Sequence, residues 1–298
     1  MTNQTTETYF VATIGMFDGV HRGHKCLIEQ VMRTAAERSM RPMLVTMDEH
    51  PCTVVTGEAK PLLTTCDERV ALLRRFAACR IETLHFTRGM AAMTAPEFMR
   101  EVLVPMGVRV LVMGYDHRFG HTPPTATFDD YVEWGRVNGI EVVRATALED
   151  EKVSSSLIRK ALAAGDMDTA SRLLGRAYSI SGTVVEGMQI GRSLGFPTAN
   201  LRLSDERKML PADGVYAVEV TVGDSRQTMR GMTNIGLRPT IDNSPRRTIE
   251  THIFGLDHDI YAQPLTIAFV RKIRDTRTFD TREQLAEQLR RDAQACLI

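Results

Sequence analysis

Residues 11–31 read VATIGMFDGVHRGHKCLIEQV, and their order decides the fold of the first half of the chain. A β-branched apolar run, a glycine-rich turn and a helical pattern follow one another without a gap, which is the start of an α/β unit. Such a turn meets the helix at its N-terminus, where free N–H groups and the positive end of the peptide dipoles face it. The site therefore suits an anion. Gly15, Gly19 and Gly23 let the backbone approach a ligand closely, and His21 and His24 supply donors where charge builds on phosphates. Two histidines at this spacing could also be half of a zinc site or solvated turn residues, although no third metal ligand lies nearby in the sequence.

Outward from this stretch the alternation continues to about residue 165. MLVTM (43–47), IETLHF (81–86) and VRVLVMG (108–114) are strand-like, whereas 24–38, DERVALLRRFAA (67–78) and APEFMREVLV (95–104) are helical. This βαβα order predicts a parallel sheet covered by helices. Its last helix, SSSLIRKALAAG (154–165), opens on serines and has Gly165 just past its end. Beyond Leu174 the character changes to strands with turns: YSISGTVVEG, FPTANLRL, DGVYAVEVTVGD, RQTMRGMTNIG, RTIETHIF and PLTIAFVRKI. Six strands at short spacing predict a small antiparallel β-barrel. A C-terminal helix follows, with Asp280 and Glu283 as its expected capping pair ahead of Leu285, Leu289 and Ala293. The boundary falls near residue 180, dividing 1–178 from 179–298.

Bulk properties agree with two domains, since 298 residues exceed the usual single core of about 100 to 200. Hydrophobic residues at 43% and charged residues at 25% are ordinary for a globular protein, and no apolar stretch approaches the roughly 18 residues of a membrane span. Met1–Thr8 is polar and lacks the pattern of a secretory signal, so a cytoplasmic location is expected. The five scattered cysteines contain no CxxC pair and suggest neither a disulfide framework nor a zinc site. Lys plus Arg balances Asp plus Glu at 37 each, which leaves no global field for a nucleic-acid backbone. Phosphate binding must be local.

A second local site lies in GMQIGRSLGFPTANL (187–201), where Gly187, Gly191 and Gly195 precede a proline that fixes an extended chain. Thr198 and Asn200 alternate to one face of the following strand and offer hard oxygens of the kind a nucleotide-bound Mg²⁺ accepts. Arg192 sits in the glycine loop, where its charge suits phosphate. In TIETHIF, Ile249 and Ile253 share one face, so Glu250 and His252 project from the other. Neither a GxxxxGK[ST] loop nor a dinucleotide fingerprint occurs.

GMFDGVHRGH fits GxFDGxHxGH, the signature of the nucleotidyltransferase superfamily, whose Rossmann-like members cleave ATP between the α and β phosphates; the resemblance implies ATP contacts at Gly15, Phe17, Asp18, Gly19 and Gly23. SSSLIR (154–159) resembles the superfamily's SSTxIR, which implies an ATP-phosphate clamp of Ser155, Ser156 and Arg159. GRSLGFPTAN resembles the riboflavin kinase motif GRxLGFPTAN. Together with LLGRAYSISGTVVEG, GVYAVEV, NIGLRPT and IETHIFGLDHDIYAQPL, these strings make the chain similar to the bacterial bifunctional riboflavin kinase and FAD synthetase family. The resemblance implies ATP as co-substrate, Mg²⁺ held by Thr198 and Asn200, and Glu250 as the base that activates the riboflavin 5′-hydroxyl. It also implies a nucleotide contact at Asp116 in GYDHRFG and flavin contacts at His50, Pro51 and Asn234. The partners it implies are riboflavin, FMN and ATP, with neither nucleic acid nor membrane, and it leaves a homo-oligomer open. Three departures stand out: TMDEHP (46–51) for the usual TFxPHP, which removes an aromatic at Met47 and adds charge at Glu49; His117 for Phe in GxDFRFG; and Ala262 for Gly in DLYG.

Overall fold

The computed structural model describes residues 8–115, 117–146, 152–187, 190–225, 227–238 and 246–297; Asp116, an expected nucleotide contact, lies outside them. By its contacts the chain forms two compact units, Met1–Ser154 and Ser155–Ile298.

The first unit runs β1 (Phe10–Ile14), α1 (Arg22–Glu37), β2 (Arg41–Met47), α2 (Pro51–Thr56), α3 (Cys66–Phe76), β3 (Arg80–Leu84), α4 (Arg88–Ala92), α5 (Ala95–Phe98), β4 (Val108–Met113), α6 (Phe128–Val137) and β5 (Glu141–Arg144). α5 continues as a π-turn through Met99–Leu103. The sheet is wholly parallel in the order β3-β2-β1-β4-β5, as the βαβα pattern predicts. Alternate residues of each central strand feed two different cores. Val11, Leu44, Val110 and Val112 pack with Ile28, Val31 and Ala35 of α1 on one face. Ala12, Ile14, Met43, Val45, Leu111 and Met113 pack with Phe98, Met99 and Tyr131 on the other. Burial on both faces explains why these strands read as continuous apolar runs. Strand order reverses between β1 and β4, so their C-terminal ends open the crevice where such sheets bind ligands.

The pattern read from sequence passes over α6 and β5. Gly135 breaks the helical signal in α6, yet a Cβ there would lie 2.5 Å from both the Ile140 carbonyl oxygen and the Val142 side chain. The glycine lets β5 return closely against the helix, and β5 itself is only four residues long.

The second unit begins with α7 (Ser155–Ala164) and α8 (Met167–Leu174), then β6 (Tyr178–Val185), α9 (Ile190–Ser193), β7 (Ala199–Leu203), β8 (Gly214–Val222), β9 (Met229–Arg238), β10 (Arg246–Ile253), β11 (Pro264–Arg274) and α10 (Arg282–Leu297). Its six strands close into an antiparallel barrel in the order β10-β7-β6-β11-β8-β9. Tyr178, Ile180, Tyr216, Val218, Ile267 and Phe269 are among its buried residues. Closure is uneven: β10 pairs with β9 over eight residues from Arg246 to Ile253 but with β7 only through Glu250–Asn200 and Thr251–Ala199. The α10 cap is shifted from the expected Asp280–Glu283 pair. Thr281 accepts the Gln284 N–H at 3.2 Å while the Gln284 side chain accepts the Asp280 N–H at 3.2 Å, because the helix starts at Arg282 and its N3 position is therefore Gln284.

Candidate active sites

Between β1 and α1 the chain turns through Gly15–His21 with three residues in left-handed backbone: Gly19 at φ 83°, Phe17 at 48° and Val20 at 39°. Two non-glycine residues persist there because both are buried in the core and the turn is tied down from outside. Gly19 donates its N–H to Thr64 Oγ1 at 3.0 Å, and the buried Asp18 carboxylate accepts the Leu63 and Thr64 N–H groups at 3.1 and 2.9 Å. Asp18 thus binds the turn to the segment entering α3. Gly15 has the Phe17 ring 3.4 Å from where a Cβ would stand.

His21 is the N-cap of α1, its Nδ1 accepting the His24 N–H at 3.3 Å, so in the neutral ring the proton sits on Nε2. The His21 and His24 rings stack with centroids 3.6 Å apart and planes 15° from parallel, and Phe17 meets His24 edge-on at 5.3 Å. Gly23 permits this fold-back, since a Cβ there would lie 3.3 Å from the His21 ring. Burial, then the fields of His21, His117 and Arg69, hold the His24 imidazolium well below its ordinary pKa. At neutral pH His24 is therefore uncharged, and its Nδ1 has no hydrogen-bond partner among the described residues. The pair offers N–H donors at a helix N-terminus, a setting that stabilises developing phosphate charge.

The departures from the family pattern acquire physical meanings. Met47 is 7% exposed and packs in the core with Phe98, Phe119 and Tyr131, so the expected loss of a stacking surface is instead a change of core packing. Glu49 is half-buried and follows Asp48, whose carboxylate accepts the Glu49 and Phe86 N–H groups at 2.7 and 3.0 Å. His50 caps α2 by accepting the Cys52 N–H at 3.1 Å, with Pro51 as the first helical residue. Burial pushes the His117 imidazole down to about 4, so at neutral pH it is an uncharged ring tilted against Phe119 at 6.1 Å. An aromatic ring remains where the family has Phe.

In the barrel, Glu250 stands opposite Asn200 on one neighbouring strand and Asn234 on the other. Directly paired residues point to the same face with neighbouring Cβ atoms about 5 Å apart, so these three polar side chains form one row. Along β10 the expected alternation holds: Ile249, Thr251 and Ile253 are buried, whereas Thr248, Glu250 and His252 line a cavity of about 760 Å³. Its walls include Leu194, Phe196, Met232, Phe279, Leu285 and Leu289, an apolar shape suited to a planar ring system. A smaller cavity of about 170 Å³ is lined by Arg192, Pro197 and Tyr261, and Thr198 lines both. His252 Nδ1 reaches the Pro197 carbonyl at 2.7 Å, fixing the backbone next to Thr198. Gly191 is required sterically, because a Cβ would lie 2.2 Å from the Phe196 carbonyl oxygen, and Gly195 has φ 82°. The Asn200 carboxamide lies against Gly187, where a Cβ would come within 2.0 Å of it. Arg192 pairs with Asp259 at 3.3 Å.

Phe279, Arg277, Leu285 and Leu289 were not singled out as cavity residues from sequence. The i, i+4 leucines of α10 carried a signal, because a closed barrel leaves them only its outside to cover. At α7, Ser155 is the first helical residue, Ser156 is exposed, and the half-buried Arg159 flanks the face that buries Ile158, Ala161 and Leu162.

Residues 3–157 match the FAD synthetase family and residues 174–297 the riboflavin kinase family. The chain is 35% identical to the bifunctional riboflavin kinase/FMN adenylyltransferase of Pseudomonas fluorescens, over 96% of this chain and 91% of that protein. With the enzyme of the same description from Bacillus subtilis (strain 168) it shares 30% identity, over 96% of this chain and 91% of the relative. Its fold matches a crystal structure of a Streptococcus pneumoniae protein described as a macrolide-efflux protein with TM-score 0.86 at 32% identity, covering 98% of this chain and 94% of that one. Among the described residues no helix is long and apolar enough to cross a membrane. The chain belongs to the bifunctional riboflavin kinase/FMN adenylyltransferase family, with FMN adenylylation in its N-terminal half and riboflavin phosphorylation in its barrel.

Proposed function

We propose that Glu250 is the base of the kinase step and the His21–His24 pair the phosphate-stabilising centre of the adenylyl transfer. The observation that carries the first assignment is the Asn200–Glu250–Asn234 row beside the junction of the two cavities. Riboflavin occupies the larger cavity, with Asn234 among its contacts, and ATP phosphates lie along Gly191, Arg192 and Gly195. Glu250 takes the proton of the ribityl 5′-hydroxyl as that oxygen bonds to the γ-phosphorus and the bond to ADP breaks.

Among the described residues no cluster of three or more His, Cys, Asp or Glu is placed to hold a metal, so a protein-only cage is not the design. The Thr198 hydroxyl and Asn200 amide oxygen are hard donors that fit a cation sharing its remaining positions with phosphate and water. Those two residues would hold Mg²⁺, which neutralises phosphate charge when bound.

In the N-terminal half a phosphate oxygen of FMN bonds to the α-phosphorus of ATP and pyrophosphate leaves, so no protein nucleophile is needed. His21 and His24 donate N–H bonds to the charge that builds there, and the Gly15–Gly23 backbone admits the phosphates. Phe17 and Asp18 hold that backbone in shape. His50 and Pro51 belong to the flavin side. For Ser155, Ser156 and Arg159 the support is the SSSLIR string and their place at the start of α7. Functionally the boundary is placed between 178 and 179, with the protein at work in the cytoplasm.

Chromatography of flavins formed from riboflavin, ATP and MgCl₂ tests the division. Glu250→Gln should lower FMN formation by roughly 10²-fold or more yet leave conversion of supplied FMN to FAD intact, and His24→Ala should do the reverse. Loss of both activities in either folded variant overturns the assignment.

A further inference from the structure

Arg69 of α3 is the largest fully buried side chain among the described residues, with no exposed surface. Its Nη2 donates to the carbonyl of Met47, the last residue of β2. Its Nε and Nη1 have no hydrogen-bond partner among the described residues, the neighbouring Cys66 thiol being only a weak acceptor. The nearby acidic groups are engaged elsewhere: Asp18 with Leu63 and Thr64, and Asp48 with Glu49, Phe86 and His85. The chain shows what a satisfied structural arginine looks like. Arg274 gives Nε and Nη2 to the buried Asp292 at 2.7–3.0 Å and Nη1 to the Asp275 carbonyl at 2.9 Å. A guanidinium serving only the fold would have such an acceptor, because unsatisfied buried donors are costly.

The position of Arg69 identifies the missing acceptor. Its tether to Met47 places it at the β2 end from which Asp48–Pro51 emerge, near enough to His24 for its charge to help hold that imidazole neutral. One substrate must bring a phosphate there. Riboflavin and FMN differ only by a phosphomonoester, and that group is the nucleophile.

We propose that Arg69 is the substrate-recognition residue of the adenylylating site, its buried guanidinium binding the phosphomonoester of incoming FMN and thereby excluding riboflavin. The inference rests on the reading of His21 and His24 as that site. Two oriented donors on a charged group give strong, geometry-selective phosphate binding.

The experiment is initial-rate kinetics of FAD formation by the full chain, with FMN and ATP varied separately. Arg69→Gln should raise KM for FMN roughly tenfold or more with KM for ATP within about twofold, and Arg69→Lys should recover most of the loss. Riboflavin phosphorylation should be unchanged in both. Inorganic phosphate should inhibit the wild-type enzyme competitively against FMN and not against ATP, a measurement that decides the matter if Arg69→Gln does not fold. An unchanged KM for FMN in Arg69→Gln, a lysine variant no better than the glutamine one, or phosphate competing with ATP overturns the proposal. Failure of His24→Ala to impair FAD formation would overturn the underlying site instead.

Discussion

His24 beside the glycine-rich turn and His117 after β4 are buried rings whose protonation the fold controls. His24 and His117 are both held neutral chiefly by burial, His117 with its pKa lowered to about 4 from the usual 6.5. Below pH 6.5 the unfolded chain takes up a proton at residue 117 that the folded chain refuses until about pH 4, so the folded state loses stability as pH falls through that window. His117→Phe removes this contribution together with an orphaned Nδ1. The variant should be more stable by about 1 kcal/mol at neutral pH. Its melting temperature should also fall less between pH 7 and pH 5 than that of the parent, as followed by fluorescence of Trp134, the sole tryptophan. Much of both sites was legible at this scale. The motifs around His21, His24, Thr198, Asn200 and Glu250 drew attention to these positions through their resemblance to family strings, and strand alternation placed Glu250 opposite the Ile249 face. What sequence did not carry was Arg69, since a charged residue within an amphipathic helix reads as exposed until the packing shows that it is not.

At the scale of elements, backbone strain is handled in two opposite ways. Ala262 has φ 60° in the exposed turn between β10 and β11. No side-chain packing offsets the strain there, so Ala262→Gly should stabilise the barrel by roughly 0.5–1 kcal/mol in urea unfolding with kinase turnover unchanged. Val20, at φ 39° in the β1–α1 turn, is fully buried. Its side chain contributes about 1.5–3 kcal/mol of burial, more than the strain of about 1 kcal/mol that glycine would relieve. Val20→Gly should therefore destabilise the N-terminal unit by about 1–2 kcal/mol in the same measurement and also slow FAD formation. The turn was visible in sequence as a glycine-rich loop. That two of its non-glycine residues are the strained ones was not, because φ depends on the ties through Asp18 and Thr64.

For the whole molecule, the parallel sheet and the six-stranded barrel followed from hydrophobic periodicity, whereas β5 and the allegiance of α7 and α8 did not. Periodicity reports which face of an element is buried but not what covers it. α8 buries Met167, Ala170, Leu173 and Leu174 within the second unit, and Ala212 donates its N–H to the Leu162 carbonyl of α7 at 2.9 Å. The packing boundary therefore precedes the motif boundary, and a barrel fragment cut at 179 lacks the helices that cover it. A fragment of residues 155–298 should exceed 179–298 in unfolding free energy by on the order of 5 kcal/mol, measured by urea denaturation. The barrel is also fastened unevenly. Its weakest ladder, the two residue pairs joining β10 to β7, is the one that holds Glu250 in register with Asn200. Breathing of the barrel is thus concentrated at the proposed kinase site, and a nucleotide bound across Thr198, Asn200 and Glu250 as proposed would act as a removable staple across the seam. On that proposal substrate supply would govern how tightly the barrel is shut, with turnover and mechanical integrity resting on the same few atoms.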